Sequence, residues 1–377
     1  MKNYMKTWSR ALAAAAFAAA AFGLATLPAR AGDSVKIGLS LPLTGDWAEY
    51  GDFIKKSVMM VVNKANEDGG INGRKIEVVV ADSRGDPKES VLIAEKFVGN
   101  PDIIAEIGDF SSSSCMAAAP IYEKANMAQV SPTSSHPDFT KKGRNMFRVI
   151  GTQAAEGPFN ARWAVKDLGA KTVATLYINN DWGVAANKYF TEAVKAMGGK
   201  VVAQEAFAPG EKDFSSVMSK IKRANPDVLY LPVFYADAAS IMSQARRMHY
   251  KPTVLSTGSL YSPKLIKLGG KAVEGLMTAA VYFPDNPRPE SMAFTKAFIK
   301  TYGKAPNMFA AVGYDAAALV VAALKKTGAK DRASVAPALE SLRYSGVTGD
   351  FDYSKSHDPQ KEFAKIMVRN GKWVAVK

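Results

Sequence analysis

From Val35 onward the chain alternates short apolar runs with amphipathic stretches of helical length, and few folds accommodate that pattern. Residues 35–41, 76–81, 103–107, 128–131 and 147–150 read as strands, with helices over 53–66, 87–98 and 117–125 between them. Gly69-Gly70-Ile71-Asn72-Gly73 is a turn, and Pro87 sits near a helix start, where its missing N–H costs little. A second set begins near Gly151. It has helices over 154–168, 183–197, 214–224 and 237–248, the last with Asp237 as its N-cap. Its strands are 172–178, 200–206, 228–231 and 254–256, followed by 263–268 and 275–280. The tail adds helices over 289–302 and 309–328, a less regular one over 332–342, and a hairpin, 363–369 with 372–376, turning at Asn370-Gly371. This is βαβ punctuation. The expected class is α/β, with parallel sheets covered by helices on both faces, in two similar halves.

In an open parallel sheet, ligands bind beyond the carboxyl ends of the strands. The loops there are therefore the candidate site. One is Ser111-Ser112-Ser113-Ser114, between the strand 103–107 and the helix that follows. Unpaired N–H groups and hydroxyls at such a turn suit a carboxylate or phosphate, although a serine-rich cap serving only its own helix has the same sequence. Others are 42–51 and 131–137 in the first half, and 179–183, 232–237 and 256–261 in the second. The first half offers hydroxyls and the second aromatics. Trp182, between polar residues and Gly183, reads as a loop residue facing the ligand.

Several function classes find no support. Among the motifs, there is no Gly-x-Ser-x-Gly elbow, no phosphate-binding Gly-x-x-x-x-Gly-Lys and no dinucleotide fingerprint. The three histidines, His136, His249 and His357, are far apart in sequence and not at zinc spacing. His136 reads as a solvent-facing loop residue, and Asp82-Ser83-Arg84-Gly85-Asp86 as a turn rather than a calcium loop. No catalytic residue, cofactor or metal is expected. The formal charge is +14, but basic residues are scattered among acids without an aromatic-interleaved stripe, so nucleic acid is not an expected partner. Cys115 is the only cysteine and reads as a small buried residue.

Lys2, Lys6 and Arg10 precede an uncharged run over 11–25 and then Ala29-Arg30-Ala31. Residues 1–31 read as a secretory signal peptide cleaved after Ala31, the apolar run being too short for a bilayer. The expectation is a soluble exported protein, periplasmic where the cell has two membranes.

Val35-Lys36-Ile37-Gly38, Pro42-Leu43-Thr44-Gly45 and Glu49-Tyr50-Gly51 resemble the opening of the leucine/isoleucine/valine-binding type of periplasmic solute-binding protein. So do Gly69-Gly70-Ile71-Asn72-Gly73, Asp86-Pro87-Lys88, the serine stretch and Gly210-Glu211-Lys212-Asp213-Phe214. The resemblance runs in register over the whole chain after the leader. It implies a type I periplasmic-binding-protein fold, two doubly wound parallel-sheet lobes joined by a three-crossing hinge. Residues 33–150 plus 283–346 would form lobe 1, and 151–282 plus 347–377 lobe 2. It further implies a monomer that captures a small hydrophobic amino acid and delivers it to ABC importer permease subunits in the inner membrane.

By position, the resemblance gives the solute's carboxylate to Ser112 and Ser135, with backbone groups around Ser111 and Thr133; Ser134 lies in the same loop. Ser113 and Ser114 are left to cap the helix. Tyr50 takes the place of an aromatic that touches the ligand, and Trp182 and Phe234 take two further aromatic places from the second lobe. Two departures matter. Gly258 stands where the family's amino acid binders have a glutamate for the ligand ammonium, and Gly85 and Ser111 stand at their disulfide positions. A desolvated ammonium without a carboxylate costs several kcal/mol. Either Asp237 or Asp109 substitutes, or the ligand is an aromatic or other hydrophobic carboxylate, or an amide, lacking the ammonium. Two rivals share parts of the pattern: a hydrolase using Ser112 with His136, and a ligand-sensing receptor domain of the same fold.

Overall fold

The computed structural model describes residues 34–376; the leader lies outside the described residues. The first sheet is built from β1 (Val35–Leu41), β2 (Ile76–Asp82), β3 (Ile103–Gly108), β4 (Ala128–Ser131) and β5 (Met146–Arg148), all parallel, in the order β2-β1-β3-β4-β5. β3 and β4 are buried along their whole length because helices cover both faces. One face carries α1 (Ala48–Glu67), the other α2 (Pro87–Gly99) and α3 (Ser112–Lys124).

The second sheet repeats the plan. β6 (Thr172–Ile178), β7 (Lys200–Phe207), β8 (Val228–Tyr230), β9 (Val254–Ser256) and β10 (Met277–Ala280) run in the order β10-β9-β8-β6-β7. Taken in chain order within each half, the two arrangements are the same. Helices α4 (Gln153–Arg162), α5 (Asp181–Ala196), α6 (Ser215–Ala224), α7 (Tyr235–Arg247) and α8 (Pro263–Gly269) belong to this half. α4 continues as a wider turn, Trp163–Asp167, in which Leu168 N donates to Trp163 O at 3.0 Å. The hairpin β13 (Ala364–Arg369) with β14 (Lys372–Ala375) extends the sheet antiparallel to β10.

The tail completes the first half. α9 (Pro289–Tyr302), α10 (Met308–Thr327) and α11 (Val335–Glu340) follow β10. α10 is apolar nearly all round, and its burial explains why: it is packed against α1, β3, β4 and α11. A hairpin that the periodicity does not announce, β11 (Arg343–Gly346) with β12 (Gly349–Asp352), follows α11. The buried carboxylate of Asp315 in α10 pins its turn, accepting from Val347 N at 2.8 Å, Thr348 N at 2.8 Å and Thr348 Oγ1 at 2.7 Å. A lobe boundary between residues 346 and 347 would cut this turn.

Several helix starts differ from the sequence reading: α1 begins at Ala48 and not at 53, and three others bear on the candidate site. α3 begins at Ser112, inside the serine stretch, and its cap is Ser111, whose Oγ accepts from Ser114 N at 3.1 Å. Ser113 and Ser114 are therefore first-turn residues and not caps. α5 begins at Asp181, capped by Asn180, so Trp182 is helical; Gly183 follows because a Cβ there would meet Ile178 O. α7 begins at Tyr235, so Asp237 is a first-turn acid and not the cap.

A cavity between two switch points

Each sheet has its switch in winding direction between its first and third strands, which is where doubly wound sheets leave a crevice. The loops and helix starts after β3 and β4 bring Phe110, Ser111, Ser112, Thr133 and Ser135 to one cavity. Those after β6, β8 and β9 bring Trp182, Phe234 and Gly258 to the same cavity. Ile150, Gln153, Glu156, Val281, Met308, Phe309 and Phe363 complete most of its wall. It is a mainly apolar chamber with polar groups gathered on one part of the wall, as small-molecule sites are.

Seven of the ten residues singled out from sequence line this space: Ser111, Ser112, Thr133, Ser135, Trp182, Phe234 and Gly258. Ser112 Oγ accepts from His136 N at 3.3 Å, which leaves its proton to donate. Thr133 Oγ1 donates to Phe110 O at 2.6 Å, so its proton is committed. Trp182 and Phe234 stack with centroids 4.9 Å apart, and Trp47 leans on Phe234 at 4.3 Å.

The other three are elsewhere. Tyr50 stands behind the wall, fully buried and stacked on Phe110 at 4.6 Å. Its hydroxyl donates to Ser259 O at 2.7 Å and accepts from Tyr235 N at 3.0 Å, joining α1 to the second half of the chain. Glu49 beside it accepts from Ser262 Oγ and from Lys264 N. Ser134 faces away from the cavity lining, its carbonyl accepting from Arg148 Nη1 at 2.8 Å. Asp237 lines a separate outer cleft with Asp46, Trp47, Arg84 and Asn180. Burial pushes its carboxyl up to about 6, but it does not line the chamber. Asp109 is also absent from that wall; it accepts from Ser90 Oγ at 3.1 Å and from Phe110 N within the first half. Cys115 is buried, its Sγ donating to Asp109 O and Ser131 Oγ, and burial raises its thiol pKa.

The acid in the chamber is Glu156, which the sequence reading left inside a helix. It is in the first turn of α4, where an anion is favoured. One oxygen accepts from Gly258 N at 2.8 Å and the other from Gln153 Nε2 at 2.8 Å. Burial raises its carboxyl to about 7 against those bonds. Gln153 Nε2 also donates to Ser135 Oγ at 3.0 Å, while Gln153 Oε1 is buried without a partner. Glu156 is thus two hydrogen bonds from Ser135. Gly258 is glycine for a reason: a Cβ there would lie 2.9 Å from Ala279 O and from Met308 Cε. The space that a side chain at 258 would need is filled, and position 258 gives its N–H to the acid on α4 of the same half.

Two doubly wound lobes with one chamber between them are an architecture suited to enclosing a small molecule. The sequence profile of the family described as periplasmic binding protein matches residues 34–372, and the chain belongs to that family. This is a family of solute-binding proteins and not of enzymes. The chain is 28% identical over 360 residues to the leucine-, isoleucine-, valine-, threonine-, and alanine-binding protein of Pseudomonas aeruginosa, covering 95% of this chain and 94% of that one. Its fold superposes on the leucine-binding protein LivK of Thermotoga maritima with a TM-score of 0.86 at 29% identity, covering 91% and 98%. A solute-binding protein of an ABC transporter from Rhodopseudomonas palustris, in complex with 3,4-dihydroxybenzoic acid, matches with a TM-score of 0.82 at 25% identity, covering 92% and 97%.

Proposed function

We propose that this protein captures a small hydrophobic amino acid of the branched-chain type between its lobes and delivers it to the permease of an ABC importer. On this reading it works as a periplasmic monomer with its leader removed after Ala31. The lobe boundaries are the crossings near 150 and 282 and a third beyond Asp352, which keeps the hairpin of β11 and β12 whole. Glu156 is the observation that carries the reading. A buried carboxylate in the chamber wall, two bonds from Ser135, offers the counter-charge whose absence at Gly258 had argued against an ammonium. Gln153 Oε1 is a second acceptor for that ammonium.

The solute's carboxylate is held by Ser112, Ser135 and nearby N–H groups through charge-assisted hydrogen bonds. Its side chain lies among Trp182, Phe234 and Phe309. The second lobe closes on the bound molecule, and the solute shifts the open–closed balance by its preference for the closed form. The names of the Pseudomonas and Thermotoga relatives support this ligand class. Ser112→Ala is expected to weaken L-leucine binding by about 1–3 kcal/mol, read by calorimetry; an unchanged affinity would remove Ser112 from the cradle.

The charge of Glu156 gives the reading a pH signature. An ammonium beside it favours the ionised carboxyl, so binding of L-leucine releases a proton wherever Glu156 was protonated. Affinity should rise with pH up to about 7 and then level off. The second reading, an aryl carboxylate, is supported by the aromatic lining and the Rhodopseudomonas structure. It predicts a flat affinity below about 7 and a fall above it, because an anion favours protonated Glu156 and raises its carboxyl further. Calorimetry of L-leucine, L-isoleucine, L-valine and 3,4-dihydroxybenzoate on both sides of pH 7 separates the two. Binding of the benzoate alone, weakening with rising pH, would overturn the amino acid reading.

A further inference from the structure

One buried charge near the chamber is not part of its wall. Arg148, the last residue of β5, is fully buried. Its Nη1 donates to Ser134 O at 2.8 Å and to His136 O at 2.9 Å, the two carbonyls that flank Ser135. His136 N in turn donates to Ser112 Oγ. One guanidinium therefore fixes the backbone on both sides of one cradle hydroxyl and, through His136, the partner of the other.

The far side of the guanidinium faces the third crossing. Nε donates to Asp358 Oδ1 at 2.6 Å, and Nη2 donates to Thr140 Oγ1 at 3.3 Å, whose proton goes to the same Asp358 oxygen at 2.9 Å. Tyr353 Oη donates to Arg148 O at 2.7 Å from the same crossing. Asp358 is the only carboxylate paired with Arg148 among the described residues, and its side chain keeps 30% of its exposure. A buried cation whose single counter-ion is partly in water keeps part of its field for an anion on its other side. That other side is the loop of Ser135.

We propose that Arg148 is the positioning residue for the solute's carboxylate. It sets the 134–136 loop and lends it positive potential without touching the solute, and Asp358 holds it in place from the hinge. The proposal rests on the reading that this loop receives a carboxylate. Its effect must therefore depend on the ligand carrying one, whereas a residue that only supports the fold would affect all ligands alike.

The test compares L-leucine with L-leucinamide, which keeps the ammonium and side chain but has no carboxylate. Arg148→Lys should weaken L-leucine binding on the order of tenfold and L-leucinamide by less than about threefold. Lysine keeps the charge but not the forked donors that reach both carbonyls. Asp358→Asn, which keeps an acceptor for Nε but removes the competing negative charge, should strengthen L-leucine binding and leave L-leucinamide within about twofold, and it decides the question if Arg148→Lys does not fold. Equal effects on the two ligands, or no effect, overturn the proposal. If the wild-type chain binds 3,4-dihydroxybenzoate and neither leucine compound, the amino acid reading has failed. The same variants compared on that acid and its amide then decide the role of Arg148.

Discussion

Glu156→Gln should abolish useful binding of L-leucine and at the same time make the protein more resistant to heat. Removing one partner of a buried ion pair costs about 3–5 kcal/mol, because the other charge is left desolvated and unpaired. At about 1.4 kcal/mol per factor of ten, the affinity should fall by two orders of magnitude or more. The glutamine carbonyl can still accept from Gly258 N, and a flip of the Gln153 amide turns its free Oε1 to the new NH2 group. The stability change follows from the same burial. The carboxyl of Glu156 stands at about 7 in the folded protein, against 4.5 for the ordinary group. Its folded value is raised, so the unfolded chain gives up the proton first, and stability falls as pH rises from the ordinary carboxylate range to about 7. Above that the penalty is complete. Glutamine has no charge to desolvate. Its melting temperature should exceed the wild type's at neutral pH, with the gap closing in acid. Calorimetry with L-leucine and thermal melts at two pH values check both parts. A variant that melts lower at neutral pH, or binds as tightly as the wild type, would remove Glu156 from the role given to it.

The second large effect belongs to a residue outside the cavity. Tyr50→Phe keeps the ring that stacks on Phe110 and removes only the hydroxyl. Ser259 O and Tyr235 N then lose their partner in a buried place. Each unpaired group costs about 1–3 kcal/mol when the lobes are together, whereas water satisfies both when they part. The substitution therefore acts on closure. L-leucine affinity should drop roughly thirtyfold or more, although no atom lining the chamber has changed. Small-angle scattering at saturating L-leucine should show a larger share of open molecules than in the wild type. Affinity within twofold of wild type would show that closure does not depend on this hydroxyl.

Much of the scaffold can be read from the chain because parallel strands covered on both faces are written as short runs rich in apolar residues. Val35–Leu41, Ala128–Ser131, Thr172–Ile178 and Val254–Ser256 begin and end where those runs do. Helix starts are harder, since capping depends on which hydroxyl or amide reaches back. Four serines in a row do not say that Ser111 caps α3, and an aspartate at 237 suggests a cap that the chain does not use. The β11–β12 hairpin is hidden because its anchor, Asp315, is a charge inside an otherwise apolar helix.

The chamber divides the same way. Loops after strands locate its wall, so the serines, Trp182, Phe234 and Gly258 could be found. Tyr50 follows the right strand, but it lies in α1 and joins the two halves behind the wall. Glu156 had no local mark as a ligand-facing acid. The sequence carries only an indirect one, Gly157 and Pro158 directly after it, unusual company in a helix interior. A Cβ at 157 would meet Tyr189 and Phe190, so that helix is pressed close to its neighbour. What made position 156 matter was Met308, some 150 residues away, filling the space beside Gly258.

The packing of α10 against α1 has a bearing on how the molecule comes into being. The two helices lie side by side, yet all of β6 to β10 is spelled out between them. As the chain is made, the first sheet exists for most of that time with one apolar face waiting for a helix that has not arrived. The second sheet has its five parallel strands and the helices between them by Ala280, before α10 is made, and lacks only the closing hairpin. The middle of the chain is therefore the part able to become ordered first, while the amino-terminal part is exposed to wrong partners until Met308–Thr327 emerges. A nascent chain cut short before Met308 is a natural client for a holding chaperone, and one cut after Thr327 much less so.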